Sequence, residues 1–164
     1  MKAITKIALG GGCHWCTEAV FQSLKGVVNV EQGYVASLDE NKWFSEAVIV
    51  HFNGDAITLS LLIEIHLHTH RSTNNHSMRN KYRSAIYAFT KAQVHQSKKV
   101  MERLQDKFDE DIITQVLMFS EFEASREAIQ NYYQKNPEKP FCKQFIDPKL
   151  KLLLNKFGAY VKPV

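Results

Sequence analysis

No proline precedes Pro137 in this chain of 164 residues, and only four occur in all. That gap excludes a site built on a cis-proline turn in the first two thirds of the fold, because cis peptide bonds are essentially confined to proline. Cysteine is scarce too. Cys13, Cys16 and Cys142 are an odd set of three, a poor disulfide framework for a secreted scaffold. In a reducing compartment such thiols serve catalysis, redox chemistry or metal binding. No apolar run approaches the roughly 18 residues that would span a bilayer. The opening stretch MKAITKIALGGG lacks an apolar core of signal-peptide length, so a cytoplasmic protein without a membrane partner is expected. The 21 basic and 17 acidic side chains leave a formal charge of +4. Lys91, Lys98, Lys99 and Arg103 form a solvated helix face, so no nucleic-acid partner is expected. Apolar residues at 45% and charged residues at 23% exclude wholesale disorder. With no internal repeat or low-complexity linker, one domain over residues 1–164 is expected, working as a monomer.

Hydrophobic period then places the elements. Ala3 to Leu9 predicts a buried strand, broken by Gly10, Gly11 and Gly12. Trp15, Ala19, Val20 and Leu24 fall at helical spacing, which predicts a helix from Cys13 to Leu24. Val27 to Val35 and Glu46 to Phe52 predict strands, followed by an Asn53-Gly54-Asp55 turn and a short helix over Leu59 to Ile65 capped by Thr58. From His66 to Lys81 the chain is polar and without apolar period, and is expected to be a long loop. A strand over Tyr82 to Phe89, an amphipathic helix over Lys91 to Phe108, a strand over Ile112 to Phe119 and a helix over Ala124 to Lys135 follow. Pro137, Pro140 and Pro148 punctuate a tail expected to be irregular and mobile, with a short helix from Leu150 to Phe157. The order is not a regular βα alternation. The expected fold class is therefore α+β, a ferredoxin-like αβ sandwich with a mixed sheet and an irregular C-terminal tail.

Cys13 stands where a thiolate is easiest to hold. The glycines allow a sharp turn, and the helix that follows leaves unpaired N–H groups and a positive dipole end at the sulfur. Three chemistries compete for Cys13-His14-Trp15-Cys16. One is a thioredoxin-like dithiol exchanger, which the missing early proline opposes. Another is a metal site drawing on His66, His68, His70 and His76, but a single Cys-x-x-Cys pair is a weak case for one. The third is a nucleophilic cysteine whose second thiol resolves its oxidised form. That reading survives, with no metal and no cofactor expected.

The segment Gly11-Gly-Cys-His-Trp-Cys-Thr-Glu-Ala-Val-Phe-Gln22, with Leu24-Lys25-Gly26-Val27 and Gly33-Tyr34, resembles the A-type peptide methionine sulfoxide reductases. Tyr82-Arg83-Ser84-Ala85-Ile86-Tyr87 matches that family's most recognisable strand, and Lys135-Asn136-Pro137, Cys142 and Pro148-Lys149-Leu150 resemble its C-terminal segment. The resemblance runs from about residue 7 to residue 157. It implies thiol-dependent reduction of methionine (S)-sulfoxide, in proteins or as the free amino acid, with thioredoxin as the reductant. It also implies roles: Cys13 as nucleophile, Glu46 as proton donor, and Tyr34 and Tyr82 as phenols on the sulfoxide oxygen. Trp15 would pack on the substrate methyl group, and Cys16 or Cys142 would resolve a Cys13 sulfenic acid, with Cys16 favoured by its spacing.

The chain also departs from the family pattern. His14 replaces the usual phenylalanine of the methyl pocket, and is expected to sit beside Cys13, favour its thiolate and make that wall less apolar. Ser77 stands where the family has an aspartate, Trp43-Phe44-Ser45 replaces the usual lead-in to the glutamate, and Ala128-Ile129 replaces a Tyr-His pair. His66-Leu67-His68-Thr69 lacks the family's Asp-Pro. The alternative function is a catalytically weak or inactive paralogue that binds methionine peptides or senses redox state through its thiols.

Overall fold

The computed structural model describes residues 4–163, so the expected start of the first strand at Ala3 lies outside the described residues. Strand β1 (Ile4–Gly10) feeds helix α1 (His14–Gln22), and β2 (Val27–Ala36) and β3 (Ser45–Asn53) follow. Helix α2 (Leu59–Thr69) leads through a long connection to β4 (Ala85–Ala88). Helix α3 (Lys91–Leu104), strands β5 (Gln115–Met118) and β6 (Glu121–Ala124), the one-turn α4 (Tyr132–Lys135) and α5 (Asp147–Phe157) complete the order.

The six strands form one mixed sheet in the order β5-β4-β1-β3-β2-β6. Its centre, β4-β1-β3-β2, is antiparallel throughout and has the ferredoxin-like βαββαβ connectivity. β5 extends it in parallel beside β4, and β6 in antiparallel beside β2. Strand alternation sorts the faces. Ile7, Leu9, Val48, Val50, Phe52 and Ile86 turn to the main core, where α1, α2, α3 and α5 pack. Ala8, Ala47, Ile49, Ala85 and Tyr87 turn the other way into a smaller cluster with Phe119 and Phe122. Thr58 and Thr90 cap α2 and α3 by accepting from Leu61 and Gln93 N–H, so both helices start where the sequence signals them.

Four expectations change. Helix α2 runs past Ile65 to Thr69, because Leu67 is a buried core residue and His66 Nε2 finds the Gly10 carbonyl inside the fold. The strand expected from Tyr82 begins only at Ala85, since the Arg83 N–H goes to the Ser45 hydroxyl. The helix expected over 124–135 is replaced by β6, an irregular turn and the short α4. Glu121–Ala124 pairs with β2, and Asn131 adopts left-handed backbone at φ 56°, which interrupts a continuous helix. The tail is irregular only around Pro137. From Cys142 it forms a π-helical turn (Cys142–Ile146) that runs into α5, and Cys142 is fully buried.

The end of β1 is held by histidines. The Gly10 carbonyl accepts from His66 Nε2 at 2.8 Å, and Gly11, at φ +153°, lies so close to the His70 ring that a Cβ would overlap it. Burial pushes the His66 imidazole down to about 4, so it is neutral at pH 7 with its proton on Nε2. The unfolded chain binds a proton at that residue from about pH 6.5 downward while the folded one does not. His66 therefore costs stability as pH falls, about 3 kcal/mol by pH 4. Urea midpoints measured from pH 7 to pH 4.5 should fall steeply in the wild type, and the slope should flatten in His66→Gln.

Candidate active site

The glycine turn after β1 delivers Cys13 to the N-cap of α1, half-buried, with its backbone carbonyl accepting from the N–H groups of Cys16 and Thr17 at 3.1 and 3.2 Å. A hydrogen bond from the Cys16 thiol and the N–H groups of Trp15 and Cys16 draw the Cys13 thiol below its ordinary value. Burial and the Glu46 charge oppose that pull without reversing it. The Cys16 thiol is pushed strongly up, first by the hydrogen bond it donates to Cys13 and then by burial. Of the two cysteines it is therefore Cys13, at the helix start, that ionises more readily, with Cys16 kept as its thiol partner.

Glu46 reaches the same place from the sheet. In the β2–β3 ladder Tyr34 lies directly opposite Glu46, which puts both side chains on the helix-bearing face of the sheet at the end where α1 begins. Glu46 is buried, with 7% of its surface exposed. Its Oε1 accepts from the His14 backbone N–H at 3.2 Å and lies 3.4 Å from His14 Nε2. Its Oε2 lies 3.6 Å from Lys81 Nζ, on a lysine that is itself mostly exposed. His14 is buried, and its Nδ1 donates to the Gly33 carbonyl at 2.8 Å while Tyr34 meets the ring edge-on at 5.1 Å. The imidazole thus contacts Gly33, Glu46 and Tyr34, and it is not among the causes that lower the Cys13 thiol. The expected electrostatic link from His14 to Cys13 gives way to a link with Glu46.

The wall opposite the carboxyl is aromatic. Trp15 stacks on Tyr132 at 4.0 Å and meets Phe141 edge-on at 5.1 Å. Cys16 and Cys142 lie in the same apolar cluster as Tyr132 and Ile146, with Cys13 at its margin, so the three thiols are neighbours. Burial first, and then Asp147, push the Cys142 thiol up. Glu18 ties this wall down by accepting from Gln32 Nε2 and from the N–H groups of Asn131 and Tyr132.

Tyr82 comes from the connection between α2 and β4, which Arg79 fastens to the rest of the site. Arg79 donates to the carbonyls of Gly11 and Tyr82 at 2.7 and 2.8 Å, and also to those of Asn74 and Arg71. Ser77 is exposed in this connection and does not line the cleft. His66 and His70 point into the protein: His70 donates from Nδ1 to the His66 carbonyl and accepts from the Ser84 hydroxyl, and burial holds it well below the ordinary histidine value. Among the described residues no three His, Cys, Asp or Glu side chains gather as a metal site.

Together these parts enclose a cleft of about 460 Å³, and Cys13, His14, Trp15, Tyr34, Glu46 and Tyr82 all line it. Phe44, Ser45, Lys81, Ile129 and Phe141 complete its lining; Phe44, Ser45 and Ile129 stand at positions where the chain departs from the family pattern, whereas no motif in the sequence marks Lys81 or Phe141. Cys13 also opens onto a second cavity of about 340 Å³ beside Cys16 and Lys149. A larger open cleft, about 620 Å³ around Leu67 to Asn75 and Phe108, has no thiol in its lining, so the chemistry belongs to the smaller one.

A family model described as peptide methionine sulfoxide reductase matches residues 5–159. A peptide methionine sulfoxide reductase MsrA of Acinetobacter baumannii is 33% identical, over 93% of this chain and 95% of its own. Among solved structures, reduced Mxr1 of Saccharomyces cerevisiae superposes with a TM-score of 0.76 at 25% identity, covering 85% of this chain and 89% of Mxr1. Mxr1 in complex with Trx2 superposes with a TM-score of 0.63 at 26% identity, covering 79% of this chain and 84% of Mxr1. On the sequence match, the shared fold and the assembled cleft alike, this chain belongs to the peptide methionine sulfoxide reductase family.

Proposed function

We propose that the cleft reduces methionine sulfoxide through Cys13, and that the residues around it divide the work as their positions suggest. The observation that carries this reading is the pairing of a half-exposed, lowered thiol with a buried carboxyl across one small cleft. A sulfoxide sulfur becomes electrophilic when its oxygen is protonated as attack proceeds, so a thiolate and an acid must face each other. The Cys13 thiolate attacks the sulfur, and the S–O bond breaks as the oxygen passes to Cys13 and takes one proton from the side of Glu46. The products are a thioether and a Cys13 sulfenic acid; the substrate sulfur gains two electrons and the cysteine sulfur loses two. Tyr34 and Tyr82 are the donors for the oxygen while charge develops on it. Trp15, braced by Tyr132 and Phe141, is the apolar surface for the methyl group.

Recycling follows from the thiol arrangement. In the reduced protein the chief restraint on Cys16 is the hydrogen bond it donates to Cys13. That restraint ends once Cys13 is a neutral sulfenic acid. Cys16 then condenses with it, forming a disulfide and releasing water, and a dithiol reduces the disulfide. The Mxr1–Trx2 complex supports thioredoxin for that step. The need for a dithiol pool favours a cytoplasmic protein. Among the described residues no helix is long and apolar enough to cross a membrane. The alternative, a paralogue that only binds peptides or senses redox state, is disfavoured because the thiolate and the carboxyl are both kept in place.

Four measurements test this reading. With a methionine (S)-sulfoxide peptide and dithiothreitol, Cys13→Ser should lose at least about a thousandfold in kcat/KM. Cys16→Ala should still form one equivalent of methionine per enzyme; one equivalent from Cys13→Ser instead would remove Cys13 from its role. Alkylation of Cys13 against pH should shift to higher pH in Cys16→Ala, which lacks the donated hydrogen bond. Mass mapping after one turnover without reductant should show a Cys13–Cys16 linkage, and a Cys13–Cys142 linkage with Cys16 free would reassign the resolving thiol.

A further inference from the structure

The mechanism above uses Glu46 as the proton donor but leaves its closest side-chain neighbour, the buried His14, without a task. We infer that His14 is a positioning residue that shares a single proton with Glu46, so that the proton delivered to the sulfoxide oxygen is stored on the pair. This inference rests on the role given to Glu46 above.

The argument begins at the far side of the ring. His14 Nδ1 lies 2.8 Å from the Gly33 carbonyl, which can only accept, so Nδ1 carries a hydrogen in either charge state of the imidazole. A neutral His14 must then present a bare Nε2, and Nε2 lies 3.4 Å from Glu46 Oε1. With Glu46 ionised and His14 neutral, two lone-pair atoms face each other in a site where both residues are buried. With both protonated, the acid proton stands either against Nε2–H or on Oε2 beside the Lys81 ammonium, and the buried pair carries a net positive charge. One proton between them removes both conflicts, either as a carboxyl donating to Nε2 or as an imidazolium donating to a carboxylate. The two forms carry the same total charge, so passing between them calls for no counter-ion. Glu46 Oε1 is held for this exchange by the His14 backbone N–H, and the β2–β3 ladder fixes Gly33 and Glu46 relative to each other. Geometry alone therefore sets the tautomer and the partner.

The other titratable groups facing the pair set its balance. From the connection before β4, Lys81 Nζ approaches Oε2 at 3.6 Å and favours a carboxylate, although its exposure screens the effect. Tyr82 packs beneath the Lys81 ammonium at 5.2 Å, and Tyr34 meets His14 edge-on from β2. From α1, Cys13 as a thiolate favours keeping the proton on the pair, the reciprocal of the opposition Glu46 makes to that thiolate. No further charged side chain among the described residues lines the cleft. Turnover consumes the thiolate and the stored proton together and leaves Nε2 facing a carboxylate, an arrangement that draws a proton from solvent before the next substrate.

The test is 15N spectroscopy of the imidazoles in the reduced full-length protein, with the His14 signals assigned through His14→Gln. Nδ1 should be protonated across the range, and the Nε2 signal should move with pH. That response should move to lower pH in Glu46→Gln and to higher pH in Lys81→Met. In activity, the alkaline limb of kcat/KM in His14→Gln should move to lower pH, with at least about a tenfold loss at pH 8 and much less at pH 6. An unshifted Nε2 transition in Glu46→Gln, a bare Nδ1, or a His14→Gln profile that drops in parallel at every pH would overturn the shared proton. Failure of the wild type to form methionine in a single turnover would instead overturn the catalytic reading and leave the spectroscopic result standing.

Discussion

The chain's turn from β1 into α1 governs everything at the site. Three glycines let the backbone leave the sheet and start a helix within a few residues, but glycine alone would leave that turn loose. His66 grips the Gly10 carbonyl from α2, the His70 ring closes on Gly11, and Arg79 holds the Gly11 carbonyl together with that of Tyr82. Both histidines stay neutral in this grip, because burial keeps them below the ordinary range and the Lys149 and Arg79 charges add to that. A fixed turn fixes the start of α1. The start of α1 in turn places the Cys13 thiol and the His14 N–H against the sheet.

From that start the two halves of the chemistry come from different layers. The thiols belong to α1 and the tail, and the acid and one phenol to the adjacent strands β3 and β2. Their meeting depends on the sheet register, because a slip of one residue would turn Glu46 to the opposite face. Glu18 closes the arrangement from below, holding Asn131 and Tyr132 so that Tyr132 can brace Trp15. A buried carboxylate with three donors around it is here a structural clamp, whereas the buried Glu46 meets one backbone N–H, an imidazole and a lysine. Burial alone does not distinguish the two carboxyls; the number and kind of their partners does.

Much of this was legible in advance where the signal is local. The strand–glycine–cysteine–helix opening, the alternation in β3 and the capped starts of α2 and α3 depend on neighbours in sequence, and they stand where the pattern puts them, although α3 ends at Leu104 rather than Phe108. The errors fall where distant partners decide. Residues 124–135 have helical composition, but β2 offers an unpaired edge and Glu18 a pair of acceptors, and these outweigh local propensity. Cys142 follows two prolines and so suggests a mobile tail, yet its side chain completes an apolar cluster with Cys16 and Tyr132. His66 and His70 look like a polar loop because side-chain polarity says nothing of a carbonyl waiting fifty-six residues away.

By itself the sequence determined the α+β class, the nucleophilic candidate and the family signature, since each is written in short runs whose physics is local. It also carried Glu46, Tyr34 and Tyr82 as candidates, but only through resemblance; nothing in a lone glutamate before a strand says that it is buried. The tertiary structure alone decided that Glu46 faces His14 and Lys81, that the His14 ring meets the Gly33 carbonyl and Glu46, and that the three cysteines share one cluster. These depend on strand register and on the angle at which α1 leaves the glycine turn. Both are set by the packing of segments far apart in the chain, and no residue's own chemistry contains them.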